Sequence, residues 1–332
     1  MAIIELAVDI GTTNITVFQK GKGIVLQEPT VAIAASRKNK LELLETGRAA
    51  EKALSASLGS AQVIYPVKEG IIVHEECARL ILKDFLKRII PERIFAPTVK
   101  AVVLIPCGLS IAERRAVENV CVRAGIREVT LVESPLALIA YTNSIGGLFV
   151  DIGGGTSEIA CVSRRGIASG VTLNIAGNAF NARIIDHVAD KYGLKIGDYT
   201  AEQLKTEVGS MLDNDVNELT ISGRDRLTGE PRTVTVCARD VKDALAPVAD
   251  NIIEVIMHVL NMAPPELLNE IRKKGIFFSG GSARLVGLSE YISVRIDLPV
   301  TELDALTEAV ALGGGRLLEE PELLAQLLNI KR

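Results

Sequence analysis

A short motif occurs twice in this chain, and the repetition limits what the chain can fold into. The apolar residues 3–8 lead into Asp9-Ile10-Gly11-Thr12-Thr13, and residues 148–150 lead into Asp151-Ile152-Gly153-Gly154-Gly155-Thr156. Each copy reads as a buried strand, a carboxylate at its end, and a glycine turn rich in N–H and hydroxyl donors. Glycine tolerates positive φ and lets the backbone close on an anion, so that successive N–H groups cradle phosphate oxygens. The aspartates add hard oxygens suited to Mg²⁺ or to its bound waters. Two copies in one chain predict two related half-molecules closing on a single nucleotide, each supplying a phosphate loop.

The 332 residues leave room for two domains, since single cores stop growing near ~250–300 residues. A chain that is 48% hydrophobic and 23% charged is ordinary for a globular protein, not for a disordered one. Its net charge of −4 argues against non-specific nucleic-acid binding, which needs a basic surface. Cys77, Cys107, Cys121, Cys161 and Cys237 are dispersed and read as small apolar residues in a reducing compartment. His74, His187 and His258 are scattered too and make no metal cluster. No apolar run reaches the ~18–20 residues of a membrane span, and the first residues read as a strand with no basic leader before it. The expected location is the cytoplasm.

Alternating and β-branched residues predict strands at 3–8 and 15–19, with a Lys20-Gly21-Lys22-Gly23 turn, and a small inserted lobe over about 29–66. Helical spacing marks residues 77–90, which Pro91 stops. A continuous apolar strand at 101–105 precedes Ser110-Ile111-Ala112-Glu113, a capping box whose helix ends near Gly125. A strand at 129–132 then runs into Glu133-Ser134-Pro135 and another helix. The second half repeats the strand–turn–strand opening over 151–171. Helices follow at 179–192 and 241–260, on either side of a hairpin around residues 223–229. A strand at 275–279 enters the glycine turn Gly280-Gly281-Ser282. The helical stretch 305–320 is interrupted by Gly313-Gly314-Gly315; glycine costs about 1 kcal/mol relative to alanine in a helix, so a close approach to backbone or ligand is expected there. Strands alternating with helices make this an α/β protein.

At this point the residues resemble a family. D-I-G-T-T (9–13), K-G-K-G-I-V-L-Q-E-P-T (20–30), D-I-G-G-G-T-S-E (151–158), K-Y-G-L-K-I-G (191–197), G-R-D-R-L-T-G-E-P-R-T (223–233), F-F-S-G-G-S-A-R-L (277–285) and A-V-A-L-G-G-G (309–315) together resemble MreB, the bacterial actin, along essentially the whole chain. The individual turns are shared by all actin-fold ATPases; the 20–30 run and the hairpin point to MreB. The resemblance implies an actin-like ATPase fold of two duplicated ribonuclease-H-like domains with a nucleotide cleft between them. Domain I would take residues 1–145 and 316–332, and domain II residues 146–315 with an insertion over about 180–240. It further implies ATP or ADP with Mg²⁺ as cofactors and a homopolymeric filament for cell-shape maintenance. Carried over by position, the first phosphate loop is Gly11, Thr12, Thr13 and Asn14, and the second is Gly153, Gly154, Gly155 and Thr156. Asp9 and Asp151 match the acidic residues around Mg²⁺ and the attacking water. Gly177 lies beside the second loop, Lys205 and Glu207 match adenosine-contacting positions, and Gly280, Gly281 and Ser282 match the turn over the adenosine.

Two departures stand out. Where the family reads E-E-P-M-A-A-A, with the second glutamate orienting the hydrolytic water, this chain reads Glu133-Ser134-Pro135-Leu136. A serine hydroxyl is shorter and a poor base. Ser134 reads as a helix N-cap, which leaves hydrolysis slow or dependent on a bridging water, with Glu133 as a substitute only through a shifted backbone. Where the family reads G-D-E-L, this chain reads Gly177-Asn178-Ala179-Phe180, which removes two carboxylates near the triphosphate; this either favours ATP electrostatically or has no consequence. The family also lies on membranes, and here Ile94 and Phe95 occupy the apolar loop tip, read equally well as packed inward. The amphipathic stretch 321–332 reads as docked on its own domain. The leading function is a filament-forming ATPase, with the filament itself, the inner membrane face and shape-complex proteins as partners. The alternative is a non-hydrolysing nucleotide-binding scaffold or a regulator of another bacterial actin.

Overall fold

Two five-stranded sheets carry the architecture. The first runs in the order Glu128–Glu133, Thr98–Ile105, Ile3–Ile10, Asn14–Gln19, Gly23–Pro29. Its first three strands are parallel and its last three form antiparallel pairs. The second runs Gly166–Leu173, Ser157–Ser163, Gly146–Ile152, Ile276–Ser279, Val300–Glu302. Numbered within each sheet by sequence, both have the order third, second, first, fourth, fifth in space, reading the second sheet forwards and the first backwards. The repeated motif therefore sits on a repeated topology. The computed structural model describes residues 2–37, 40–55, 60–91 and 97–328.

The chain divides into two compact units: Met1–Gly146 with Val162–Thr172 and Thr307–Arg332, and Gly147–Cys161 with Leu173–Leu306. In the first unit, helices Glu75–Ile89 and Ile111–Ala124 cover one face of the sheet through Ile81, Phe85, Val117 and Val120, all buried. Cys77 and Cys121 lie in this core, where burial pushes both thiols up to about 12 and keeps them protonated. The helix Ile111–Ala124 opens on the predicted capping box: Ser110 Oγ accepts from Glu113 N–H at 3.3 Å, and Ser110 N–H donates to Glu113 Oε2 at 2.7 Å. It closes on Gly125 at φ 119°, a left-handed position that favours glycine. A small lobe adds the three-stranded sheet Lys40–Thr46, Ala32–Arg37, Gln62–Ile64, with a core of Val31, Ile33 and Ala50.

The interrupted helix is continuous. Ala309–Glu319 passes through Gly313, Gly314 and Gly315, all buried, against the helix Ser134–Thr142 and the strands Ile3–Ile10 and Asn14–Gln19. A Cβ on Gly313 would stand 2.0 Å from Ala137 O, and one on Gly315 2.5 Å from the Phe18 ring. At Gly313 the helix lies almost against its neighbour's backbone, and at Gly314 and Gly315 it lies against the side chains of Leu104, Ala7 and Phe18. The following helix, Pro321–Leu327, packs on this one and buries Leu327.

In the second unit, helices Gly177–Tyr192, Asp198–Glu207 and Ala238–Asn261 pack together beside a small sheet, Leu194–Lys195, Glu218–Asp225, Pro231–Cys237. The strands Glu218–Asp225 and Pro231–Cys237 are the hairpin read from residues 223–229. No helix among the described residues is long and apolar enough to cross a membrane. Ile94 and Phe95 lie outside the described residues.

Candidate functional site

The first glycine loop closes the antiparallel turn between Ile3–Ile10 and Asn14–Gln19. Gly11 N–H donates to Asn14 O at 3.0 Å, and a Cβ on Gly11 would meet that oxygen at 2.8 Å, so the turn closes this tightly only on glycine. Three further bonds hold the loop from outside. Thr30 Oγ1 donates to Gly11 O at 2.9 Å, Thr30 N–H donates to Thr13 O at 2.8 Å, and Gly70 N–H donates to Thr12 Oγ1 at 3.0 Å. Asp9, partly exposed, stands one residue before the end of its strand, in register with Thr16 and Leu104.

The second loop repeats the first. Gly153 N–H donates to Thr156 O at 2.9 Å, and a Cβ on Gly153 would meet that oxygen at 3.3 Å. Behind it begins the helix Gly177–Tyr192, whose first N–H groups need acceptors and whose N-cap residue, Ala176, has no side-chain acceptor to offer. The loop supplies them: Gly177 N–H donates to Gly153 O at 3.1 Å and Asn178 N–H to Gly154 O at 2.7 Å. Ser282 Oγ adds a second donor to Gly153 O at 2.9 Å. A Cβ on Gly177 would lie 3.1 Å from Ser282 Oγ, 3.2 Å from Gly153 O and 3.3 Å from Gly154 Cα, so a larger residue would press on the loop. Gly280 has φ 95°, and its Cβ would lie 2.3 Å from Ile152 O. Gly281 opens the short helical turn Gly281–Arg284 that carries Ser282.

Asp151 stands one residue before the end of the strand Gly146–Ile152. Its carboxyl group is pushed up to about 6, because burial strips water from the charged form; the Ser279 hydroxyl, 2.5 Å from Oδ1, pulls partly the other way. A divalent cation placed there would supply the charge the site lacks. Among the described residues no group of three or more His, Cys, Asp and Glu side chains could hold a metal alone. Each loop by itself combines a tight glycine turn, a threonine hydroxyl and a carboxylate near the end of a strand, a donor set that fits phosphate oxygens.

Lys205 also stands in this unit, its side chain 11% exposed. Its Nζ donates to Gly177 O at 3.2 Å and to Glu202 Oε2 at 2.7 Å, and Asn181 Nδ2 donates to the same Glu202 oxygen at 2.7 Å. Glu207 ends the helix on its exposed side. The sequence expectation named Lys205 and Glu207; the hydrogen bonds of Lys205 bring in Glu202 and, through it, Asn181, which it did not name. The i, i+3 spacing of Glu202 and Lys205 was the available signal, since it puts both on one helix face. The contacts of Thr30, Gly70 and Ser279 left no local signal.

Glu133 and Ser134 lie where the parallel strands Thr98–Ile105 and Glu128–Glu133 end. Ser134 is buried and its hydroxyl donates to Ile105 O at 3.1 Å. This corrects the N-cap reading: Glu133 holds the cap position and Ser134 is the first helical residue. The physical reason is the sheet register. Glu133 opposite Ile105 is the last pair of that ladder, so the Ile105 carbonyl at its end takes a side-chain donor. Glu133 Oε1 accepts from Arg114 Nη2 at 2.6 Å and from Gly108 N–H at 3.1 Å.

The chain matches the family model described as MreB/Mbl protein over residues 3–326. It is 34% identical over 323 residues to the cell shape-determining protein MreB of Escherichia coli (strain K12), covering 95% of this chain and 93% of that relative. To the cell shape-determining protein Mbl of Bacillus subtilis (strain 168) it is 32% identical over 326 residues, 96% of this chain and 97% of the relative. Among solved structures it is similar to MreB 5 of Spiroplasma citri bound to AMPPNP, with TM-score 0.89, 25% identity, and 99% and 100% of the two chains covered. The MamK double helical filament, at TM-score 0.80, 22% identity and 96% and 99% coverage, bears on the fold alone. The architecture is an actin-like fold of two sheet-based domains. With a family model spanning nearly its whole length and relatives above 30% identity, the chain belongs to the MreB/Mbl family of cell shape-determining, actin-like proteins.

Proposed function

We propose that this chain binds ATP or ADP with Mg²⁺, polymerises with copies of itself, and serves cell-shape maintenance, with slow ATP hydrolysis. The observation that carries the reading is the pair of loops, Gly11–Asn14 and Gly153–Thr156, closed by the same Gly N–H to i+3 carbonyl bond. Support also comes from the MreB 5 structures of Spiroplasma citri bound to AMPPNP and to ADP. In this reading Thr12, Thr13, Asn14, Gly154, Gly155 and Thr156 offer donors to the phosphates, while Lys205 and the backbone of the Gly280–Ser282 turn serve the nucleoside. Asp9 and Asp151 take Mg²⁺ directly or through water. The cation supplies charge neutralisation at the β- and γ-phosphates; the chain's own residues supply orientation and exclusion of water. We assign peripheral contact with the inner membrane face to Ile94 and Phe95, and partnership with shape-complex proteins to the same cytoplasmic setting.

Slow hydrolysis is read from Ser134 and Glu133. Efficient phosphoryl transfer to water needs a group that orients the water. The Ser134 hydroxyl is donated to Ile105 O, and the Glu133 carboxylate is engaged by Arg114 and Gly108. The same observation favours the second reading, a non-hydrolysing scaffold. Phosphate release and pelleting, followed together in purified protein with Mg-ATP beside a Ser134→Glu variant, separate the two. ATP-dependent pelleting with slow release, raised by glutamate, is the expected result. Pelleting with no release above buffer identifies the scaffold, and pelleting indifferent to nucleotide refutes both.

A further inference from the structure

Each phosphate loop is held from behind by one hydroxyl. Thr30 Oγ1 donates to Gly11 O and Ser282 Oγ donates to Gly153 O, both at 2.9 Å. The two hydroxyls come from unrelated places: Thr30 follows the strand Gly23–Pro29, and Ser282 lies in the turn after Ile276–Ser279. Both residues are buried, 1% and 8% exposed. Each reaches the carbonyl of the first glycine in its loop.

Such a bond fixes more than the carbonyl. A trans peptide is planar and its C=O and the next N–H point in opposite directions; there is no cis bond in this chain among the described residues. Holding Gly11 O toward Thr30 therefore turns the N–H of Thr12 to the far side of the loop. Holding Gly153 O toward Ser282 does the same for the N–H of Gly154, and the Asn178 N–H on Gly154 O extends it to Gly155. Glycine peptides rotate with little steric resistance, so without Thr30 the Gly11 peptide samples both directions, while Ser282 strengthens the hold that the Gly177 N–H has on Gly153 O at 3.1 Å. With both hydroxyls in place the donors are set before any ligand arrives, and binding avoids that ordering cost.

We propose that Thr30 and Ser282 are paired positioning residues that clamp the first-glycine carbonyls of the two loops and so aim the N–H groups of Thr12 and Gly154 at the phosphates of a bound nucleotide. The proposal rests on the nucleotide reading above. It assigns Thr30 a role from a contact that joins residues 19 apart in sequence, and it gives the Ser282 side chain to the phosphate loop, not to the nucleoside.

The test is calorimetric titration of Mg-ATP and of adenosine into wild type, Thr30→Val, Thr30→Ser and Ser282→Ala. Valine keeps the shape of threonine and removes the donor; serine keeps the donor. Thr30→Val and Ser282→Ala should each weaken Mg-ATP by about tenfold, the equivalent of ~1.4 kcal/mol. Adenosine, which has no phosphate, should bind all four proteins alike, and Thr30→Ser should restore Mg-ATP affinity. Unchanged Mg-ATP affinity in either donor-less variant overturns the clamp, as does an equal loss for adenosine or a failure of serine to restore binding. If Thr30→Val does not fold, Ser282→Ala and Thr30→Ser decide by the same criteria. A wild type that binds no Mg-ATP overturns the nucleotide reading itself, and that outcome is visible before any variant is compared.

Discussion

Replacing Gly313 by alanine sets two well-known effects against each other with opposite signs. Helix propensity alone favours alanine by about 1 kcal/mol. The structure puts the new methyl 2.0 Å from Ala137 O and 2.6 Å from its carbonyl carbon, where ordinary contact begins at 3.4 Å. The obstacle is main chain of the helix Ser134–Thr142, which cannot rotate away as a side-chain tip would. Relief requires the two helices to part by roughly 1.4 Å at this point. The next two residues are held closely too, Gly314 by Leu104 and Ala7 and Gly315 by the Phe18 ring, so the helix has little room to shift away. Overpacking of this kind costs about 1–3 kcal/mol or more, and the dispersion lost along the contact adds to it. The net expectation for Gly313→Ala is a loss of about 2 kcal/mol, a fall in Tm of roughly 4–8 °C for a unit of this size. Thermal unfolding followed by circular dichroism measures it directly. A variant that melts at or above the wild type would falsify the close-approach argument, because that is the outcome propensity alone gives.

Two further predictions concern the site. Asp151 titrates near 6 in the folded chain against 3.8 unfolded, so the folded state holds the extra proton between those values. Its contribution is therefore most favourable below 3.8 and is lost as pH rises through 6. Asp151→Asn should gain on the wild type in urea midpoint as pH rises from about 4 to 7; a gap that is flat or shrinks over that range contradicts the burial argument. On the nucleoside side, residue 207 lies about 200° around the helix from residue 205. Glu207→Ala should leave Mg-ATP affinity unchanged, whereas Glu202→Ala and Lys205→Ala should lower it, and the reverse ranking in calorimetry defeats the assignment.

Much of this protein was legible in its sequence wherever the physics is local. A glycine turn after a strand, a capping box at Ser110 and Glu113, and a helix end near Gly125 depend on bonds spanning a few residues, and each formed as read. The glycine triplet announced a close approach because three such residues in one helix need a reason, although the choice between backbone and ligand lay outside the sequence. Ser134 went the other way. Serine before proline is a sound cap in isolation, yet the hydroxyl serves Ile105, a carbonyl 29 residues away that the end of a parallel ladder leaves open. The same holds for Thr30 on Gly11, Ser279 on Asp151 and Ser282 on Gly153. Sequence by itself determined the two loops, their carboxylates and the α/β class, since these follow from residue type and short-range geometry. Only the tertiary structure decided which buried hydroxyl faces which carbonyl or carboxylate. That choice depends on strand register and helix docking, which are set by the packing of side chains far apart in the chain and are satisfied by any short donor that happens to arrive there.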